Sequence, residues 1–324
     1  MITVLCPTYN EAEYIEKVLK FFINSSPSEK ELLLIDGGST DGTKNIINEW
    51  TNRYSNIHLL ENENKYVPFA LNIGIKNSNG DPIIRLDAHT EYANDYLEKI
   101  VETFEKTGAD IVGGPMNAVG KTNFQIAVAQ ATSTVFGIGD SKIHKGKYKG
   151  ESDHVYLGAW QRKLFDEIGY FDERLLRNQD DEFHYRARSL GKRIYLNPDI
   201  KSYYYPRSSL SKLIKQYFQY GLFKPIVLRK IKSEIKLRHL VPFIFVIYLL
   251  SLPLAYKFPY WLLPIILYFL VISWNVLRSK LNVKIKLYLF IIYPVIHISY
   301  GVGFMFGILK FIKNNLIQTK ESKN

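Results

Sequence analysis

The chain has 324 residues, of which 47 % are hydrophobic and 23 % are charged, so it can bury a core in one or two domains and is not globally disordered. Cys6 is the single cysteine, which excludes an intramolecular disulfide and suits a reducing compartment. Residues 201–324 carry 19 Lys and Arg against two Asp and Glu, beside apolar runs, and this favours an anionic membrane surface over nucleic acid as partner.

The N-terminus reads MITVLCPTYNEAEYIEKV and lacks the basic start and long apolar stretch of a signal peptide. We therefore expect the first part of the chain to stay in the cytosol. The run ITVLC predicts a strand, and Asn10 is predicted to cap the next helix, with Glu13 at the capping-box spacing. That helix is indicated by apolar residues that share one face: Ile15, Val18, Leu19 and Phe22.

Strands and helices are predicted to alternate through the next hundred residues. The runs ELLLID, NIHLLEN, PIIRLD and ADIVGG predict strands. Helices are predicted around Ile46, Ile47, Trp50 and Tyr54, near 67–77, and around Leu97, Ile100, Val101 and Phe104. This order predicts an α/β domain whose sheet is mostly parallel and covered by helices on both faces.

Polar clusters follow three of these strands, at 7–11 (PTYNE), 36–43 (DGGSTDGT) and 87–89 (DAH). Ligands bind at the carboxyl ends of strands in such sheets, so the clusters predict one site along one edge. The glycine-rich cluster has two interpretations from its residues alone. Its backbone N–H groups can meet a phosphate or ring, or it is an ordinary strand-to-helix loop with a capping residue.

A second acidic cluster, Asp180 to Glu182, is equally ambiguous by itself. If a helix begins near Asn178, these acids lie in its first turn, where they favour the helix dipole without any catalytic role. Alternatively, one of them acts as a general base.

The C-terminal part predicts a basic amphipathic connector at 207–238, a membrane segment at 239–310 and a polar tail at 311–324. The membrane segment contains apolar runs at 240–256, 259–277 and 287–309, of which the first is short. The flanking basic residues predict a cytoplasmic side for the connector and an external side for Lys257. Three spans place the lysine-containing tail outside, against the positive-inside tendency, so its side stays open.

The motifs PTYNE, IDGGSTDGT, RLDAH and RNQDDE, in this order, resemble the inverting glycosyltransferases of family 2. With the membrane runs behind them, they are most similar to the succinoglycan-type, membrane-associated branch. The resemblance covers roughly residues 1–225. It implies a Rossmann-like, nucleotide-sugar-binding domain of the GT-A type over residues 1–206.

The resemblance also assigns residues to the donor. Residues of the nucleotide site are Pro7, Tyr9, Glu11, Asp36 and Arg85, with Asp36 in the place of an acid that commonly hydrogen-bonds uracil. Asp87 and His89 stand at the two ends of the D-x-D metal motif, with His for the second Asp. They imply Mn²⁺ or Mg²⁺ as cofactor, and an imidazole fits Mn²⁺ better.

Asp180 matches the catalytic base of the family's E-D motif, with Gln179 in the Glu position. Glu182 is assigned to acceptor positioning, to a secondary acid role or to structure. Gln216, which matches the Gln of the Q-x-x-R-W motif of processive synthases, is likewise assigned to acceptor positioning or a secondary acid role. Gln219 and Tyr220 replace its Arg and Trp, which argues against processive synthesis.

The expected enzyme is therefore a hexosyltransferase-type, metal-dependent glycosyltransferase, multi-pass in the cell membrane with its catalytic domain in the cytoplasm. Its expected donor is a uridine diphosphate sugar, and its expected acceptor is a lipid-linked or membrane-proximal saccharide, as in surface polysaccharide synthesis. One alternative is transfer onto polyprenyl phosphate, an anion that needs no general base. A weaker alternative is a catalytically silent, nucleotide-binding membrane scaffold.

Overall fold

The computed structural model describes residues 1–144, 146–231 and 235–321, with side chains described up to Lys310. Within these residues the chain forms two compact units. The first comprises Met1–Asn117 and Lys142–Tyr204, and the second comprises Ala118–Ser141 and the residues from Tyr205 onwards. The chain therefore leaves the first unit at residue 118 and rejoins it at residue 142.

The strands and helices follow the predicted alternation through residue 114. The strands are β1 (Ile2–Thr8), β2 (Lys30–Asp36), β3 (Ile57–Glu61), β4 (Ile83–Arg85), β5 (Thr90–Tyr92), β6 (Ile111–Gly114), β7 (Asn117–Ala118), β8 (Gly150–Glu151), β9 (Tyr156–Trp160), β10 (Ile194–Leu196) and β11 (Ser202–Tyr204). The helices are α1 (Ile15–Asn24), α2 (Thr43–Thr51), α3 (Val67–Asn77), α4 (Tyr96–Thr107), α5 (Asn123–Thr132), α6 (Val135–Ile138), α7 (Lys163–Ile168), α8 (Gln179–Ser189), α9 (Leu210–Lys230), α10 (Leu237–Leu250), α11 (Leu263–Arg278) and α12 (Val283–Glu321).

In the described part of the chain, eight strands form the main sheet in the order β3-β2-β1-β4-β9-β6-β10-β8, and β5, β11 and β7 form a smaller one. Strands β1 to β4 are parallel, whereas β9 runs antiparallel between β4 and β6. The predicted α/β class and mostly parallel sheet are confirmed. The chain first builds outward through β2 and β3 and then returns to β4 on the other side of β1. The carboxyl ends of β1, β2 and β4 therefore meet at a topological switch point, where α/β sheets bind ligands.

Both faces of the sheet are buried, as the continuous apolar strands predict. Val4 and Cys6 pack on one face with residues of α1 and α4, and Leu5 packs on the other with residues of α3 and α8. The predicted helix cap is wrong: α1 begins at Ile15 without a side-chain cap. Asn10 instead adopts a positive φ of 53° and bonds to another loop.

The second unit consists of α5, α6 and the helices from α9 to α12. In the residues that the structure describes, two helical segments are long and apolar enough to cross a membrane, Pro259–Arg278 and Val283–Lys310. The first predicted run is shorter than a span, because it folds into the 14-residue helix α10 and a following 3₁₀ turn, Leu252–Tyr256. This unit thus favours membrane association.

Residues 118–141, which the sequence analysis did not separate from the first domain, pack among the C-terminal helices. Ala127, Val128 and Ala131 of α5 share an apolar cluster with residues of α9, α11 and α12. Polar contacts secure the same segment. They are Thr134 Oγ1 to Tyr293 Oη (3.2 Å), His297 Nε2 to the carbonyl oxygens of Phe136 (2.9 Å) and Gly137 (3.1 Å), and Arg238 Nη1 to Asp140 Oδ1 (2.7 Å). The boundary at residue 206 stays a prediction.

This packing predicts how the chain responds to truncation. A chain ending at residue 206 is expected to aggregate, because α5 loses the helices that cover its apolar side chains. Met116 N–H donates to the Ile143 carbonyl at 2.9 Å, so the segment leaves and returns at neighbouring points. Replacing residues 119–140 with a short glycine linker in that truncated chain is expected to restore a soluble monomer, as size-exclusion chromatography would show. Equal solubility of both truncated chains would contradict this role of the C-terminal helices.

Candidate active site

The loops that follow β1 and β2 are joined by hydrogen bonds at the carboxyl edge of the sheet. Backbone N–H groups of each loop donate to side chains of the other. The bonds run from Asn10 N to Ser39 Oγ (2.8 Å), Glu11 N to Thr43 Oγ1 (2.9 Å), Ala12 N to Asp41 Oδ2 (3.0 Å) and Thr40 N to Asn10 Oδ1 (2.9 Å). The polar residues of both motifs therefore build one rigid rim.

Asp36 lies at the end of β2 and is fully buried. Its carboxylate accepts hydrogen bonds from the N–H groups of Gly38 and Ser39, both at 2.9 Å, and from Ser39 Oγ at 2.5 Å. Lys44 Nζ lies 3.8 Å from the same carboxylate. In this structure Asp36 thus shapes the glycine-rich loop, and its contact with a uracil ring stays a prediction.

Tyr9 offers an exposed aromatic ring beside this loop. The residue is 44 % exposed, and Lys65 Nζ lies 5.6 Å from the ring centroid. A Cβ atom on Gly37 would lie 3.1 Å from Lys65 Cα, so the glycine permits this close approach. Pro7 lies in β1, paired with Ile35 of β2. Lys65 belongs to none of the sequence motifs, and only the fold brings it beside Tyr9.

Arg85 and Asp87 form a two-pronged ion pair directly after β4. Arg85 Nε lies 2.9 Å from Asp87 Oδ1, and Arg85 Nη2 lies 3.2 Å from Asp87 Oδ2. The Tyr92 hydroxyl holds the Asp87 backbone, since it accepts from the N–H at 2.7 Å and donates to the carbonyl at 3.1 Å. Burial alone would lower the pKa of Arg85, but the carboxylates of Asp87 and Asp180 raise it above its ordinary value.

His89 and Glu11 also meet, although the sequence analysis gave them different roles. His89 Nδ1 lies 3.2 Å from Glu11 Oε1. The Glu11 side chain is 19 % exposed and the His89 side chain 38 % exposed. The switch point thus brings a predicted nucleotide residue against a predicted metal ligand.

These residues fit a divalent cation only as part of a shared site. No group of three His, Cys, Asp or Glu side chains that could hold a metal occurs among residues 1–144, 146–231 and 235–321. Asp87 and His89 still provide a carboxylate and an imidazole on one turn. Mg²⁺ typically binds one or two carboxylates and takes its remaining ligands from water and substrate phosphates, so this donor set fits a cation that arrives with a diphosphate.

Asp180 lies in the first turn of α8, which begins at Gln179. Its Oδ1 accepts a hydrogen bond from Asp181 N–H at 3.0 Å. Burial and the neighbouring Asp181 carboxylate raise the pKa of Asp180, and Arg85 and His154 oppose that rise. Asp180 and Arg85 are therefore electrostatic neighbours, although they are far apart in the chain.

Glu182 is buried on the other side of the same helix. Its oxygens bind Arg186 at 2.9 Å and 3.1 Å, and Arg186 in turn donates to the Tyr170 carbonyl at 2.8 Å. These contacts tie the Glu182 carboxylate to the fold, and its role in acceptor positioning stays a prediction.

Two histidines, His154 and His184, lie near the acidic cluster at the start of α8. His154 Nδ1 lies 3.4 Å from Asp153 Oδ1. Burial lowers the pKa of His184 to about 3, so this imidazole is neutral at pH 7. Its Nε2 has no hydrogen-bond partner among the described residues. Only the fold brings His154 near Asp180, and no sequence signal marks that proximity.

Gln216 belongs to the second unit, where its Nε2 donates to Tyr220 Oη at 2.9 Å. Tyr220 is one of the residues that replace the processive motif. The contact is local to α9.

Comparisons with known proteins identify the family of this chain. A family model described as "Glycosyl transferase family 2" matches residues 3–169. A Methanococcus voltae protein, dolichyl N-acetyl-alpha-D-glucosaminyl phosphate 3-beta-D-2,3-diacetamido-2,3-dideoxy-beta-D-glucuronosyltransferase, is 32 % identical over 95 % of this chain and 97 % of its own. The succinoglycan biosynthesis protein ExoA of Rhizobium meliloti is 33 % identical over 74 % of this chain and 73 % of its own.

A solved structure shows the same fold over most of the chain. It is the mannosyltransferase PcManGT from Pyrobaculum calidifontis in complex with GDP-Man and Mn²⁺. It matches with a TM-score of 0.59 at 17 % identity and covers 93 % of this chain and 86 % of its own. The expected GT-A fold is therefore confirmed.

Proposed function

Because the chain belongs to the family 2 glycosyltransferases, we propose that it transfers a sugar from a nucleotide-sugar donor to an acceptor hydroxyl with inversion at the anomeric carbon. The observation that carries this proposal is the convergence of Arg85, Asp87 and Asp180 at the carboxyl edge of the sheet. In this proposal Arg85 and Asp87 act on the leaving diphosphate. Asp180 acts on the acceptor hydroxyl.

The chemistry explains the need for each group. Asp87 and His89 would hold a divalent cation, Mn²⁺ or Mg²⁺, which would supply Lewis acidity toward the diphosphate oxygens. Asp180 takes the proton of the acceptor hydroxyl, which is a poor nucleophile without a base. Displacement of the diphosphate from the opposite face then gives the inverted product in one step.

The proposed donor is a uridine diphosphate sugar. Tyr9 presents an exposed ring on which a base can stack. The similar structure from Pyrobaculum calidifontis was solved with GDP-Man. GDP sugars should therefore be tested beside UDP sugars as donors.

The proposed acceptor is a lipid-linked or membrane-proximal saccharide. Support comes from the apolar C-terminal helices and from relatives whose names refer to a dolichyl-linked sugar phosphate and to succinoglycan biosynthesis. We place the enzyme in the cell membrane as a multi-pass protein with its catalytic unit on the cytoplasmic side, because the basic connector precedes the apolar helices.

Product analysis tests this function. The full-length protein is incubated with UDP and GDP sugars, Mn²⁺ and a membrane lipid extract, and the product is identified by mass spectrometry and anomeric NMR. We expect a glycosidic bond of inverted configuration on a lipid-linked saccharide. A sugar attached directly to polyprenyl phosphate would favour the alternative acceptor, and donor binding without turnover would favour the silent scaffold.

A further inference from the structure

Arg85 is paired with the carboxylate of Asp87, on which the proposed metal site depends. Its two-pronged contact uses both oxygens of Asp87, at 2.9 Å and 3.2 Å. The Arg85 side chain is 9 % exposed and that of Asp87 is 19 % exposed, so the pair is shielded from water. Bidentate hydrogen bonds between an arginine and a carboxylate are strong. Their Coulomb attraction is greater where water is excluded.

This pairing has a consequence for a divalent cation that meets the protein alone. The charge of Asp87 is already balanced, and a cation at that carboxylate would lie beside a guanidinium that remains protonated at every accessible pH. His89, the second donor on the turn, is itself bonded to Glu11. The described residues offer no cluster of three donors that would compensate.

We propose that Arg85 is the counter-ion of Asp87 in the donor-free enzyme, and that a divalent cation binds at Asp87 only together with a nucleoside diphosphate. This inference rests on the proposed function, because it assumes that Asp87 serves a nucleotide-bound cation. Arg85 is a positioning residue that sets the order in which cation and donor enter.

The diphosphate changes the charge balance in two ways. Its oxygens bring ligands for the cation and negative charge that offsets Arg85. The Asp180 carboxylate also acts on the charge of Arg85. The guanidinium can therefore share Asp87 with a cation and be balanced by the diphosphate, without becoming a buried unpaired charge.

The test measures Mn²⁺ binding rather than activity. Full-length protein in detergent is titrated with Mn²⁺, with and without UDP, and free Mn²⁺ is followed by electron paramagnetic resonance, with UDP alone as the correction for chelation. For the wild type we expect UDP to tighten Mn²⁺ binding at least tenfold. Arg85→Met removes the charge but keeps an unbranched stem, and we expect it to bind Mn²⁺ alone at least tenfold more tightly than the wild type.

Matched variants separate charge from shape. Arg85→Lys keeps the positive charge and should bind Mn²⁺ alone as weakly as the wild type. Arg85→Gln repeats the charge removal with a polar side chain, in case Met prevents folding, which thermal unfolding would reveal. Adding Asp87→Asn to either neutral variant should abolish the gain.

The inference is overturned if neither neutral variant binds Mn²⁺ more tightly than the wild type, or if wild-type Mn²⁺ binding is equal with and without a nucleotide, UDP or GDP, that the protein is shown to bind. Failure of the proposed function has a different signature. In that case the wild type binds neither UDP nor GDP in the presence of Mn²⁺. That result would contradict the proposed donor, and with it the role of Arg85.

Discussion

Asp180→Asn is expected to abolish most turnover while leaving donor and Mn²⁺ binding close to wild type. Asn is nearly isosteric with Asp but cannot accept the proton of the acceptor hydroxyl. The expected loss in kcat is about 10²–10⁴-fold, the usual contribution of acid–base catalysis, which corresponds to about 3–5 kcal/mol of barrier. Single-turnover kinetics with saturating donor, together with UDP binding by calorimetry, would measure both quantities.

The environment of Asp180 adds a prediction about pH. Burial and Asp181 raise the pKa of Asp180, so the base is protonated and inactive over a wider acidic range than an ordinary Asp. Activity should therefore rise with pH through this raised pKa. Asp181→Asn removes the like charge and should move the rise to lower pH with little change in kcat at neutral pH.

Neighbouring acids provide controls for this assignment. If the acids of α8 only favour the helix dipole, each substitution costs a few tenths to about 1 kcal/mol of stability and none stops chemistry selectively. Glu182→Gln should lower the melting temperature, because it weakens the Arg186 contact. Substantial sugar transfer by the Asp180→Asn variant would contradict the role of Asp180 as general base. It would favour polyprenyl phosphate as the acceptor, because this anion needs no base.

Asp87→Asn is expected to lower Mn²⁺-dependent donor affinity by at least about 100-fold, because even the outer-sphere partners of metal ligands are worth about 10–100-fold. His89→Ala should cost less, since the carboxylate carries the charge that attracts the cation. Asn is preferred to Ala here because it keeps a hydrogen-bonding partner for Arg85. Donor affinity at fixed Mn²⁺ would be measured by calorimetry, with thermal unfolding as the control for folding.

Two results would contradict this metal role. One is full transfer activity in excess chelator. The other is a His89→Ala variant that binds donor more weakly than Asp87→Asn at the same Mn²⁺ concentration.

Sequence patterns by themselves determined the class of fold and the region of the site. Burial repeats with the period of the strand or the helix, so it is visible in the sequence. It accounts for the apolar runs of β1, β2 and β4 and for the spacing of the apolar residues of α1, which are Ile15, Val18, Leu19 and Phe22. Parallel strands end at one edge, so the positions of Asp36 and Asp87 at strand ends follow from the same patterns. The family motifs added the roles proposed for these residues.

Tertiary structure decided which side chains meet. Asn10 bonds to Thr40 instead of capping α1 because the loops after β1 and β2 lie side by side. Arg85 binds Asp87 within one turn, yet its proximity to Asp180 depends on how α8 packs against the sheet. Likewise, residues 118–141 are apolar enough for either unit, and the helices that cover α5 come from beyond residue 204. The periodicity of apolar residues indicates which side chains are buried. Which residues far apart in the chain contact each other depends on which elements the fold places together.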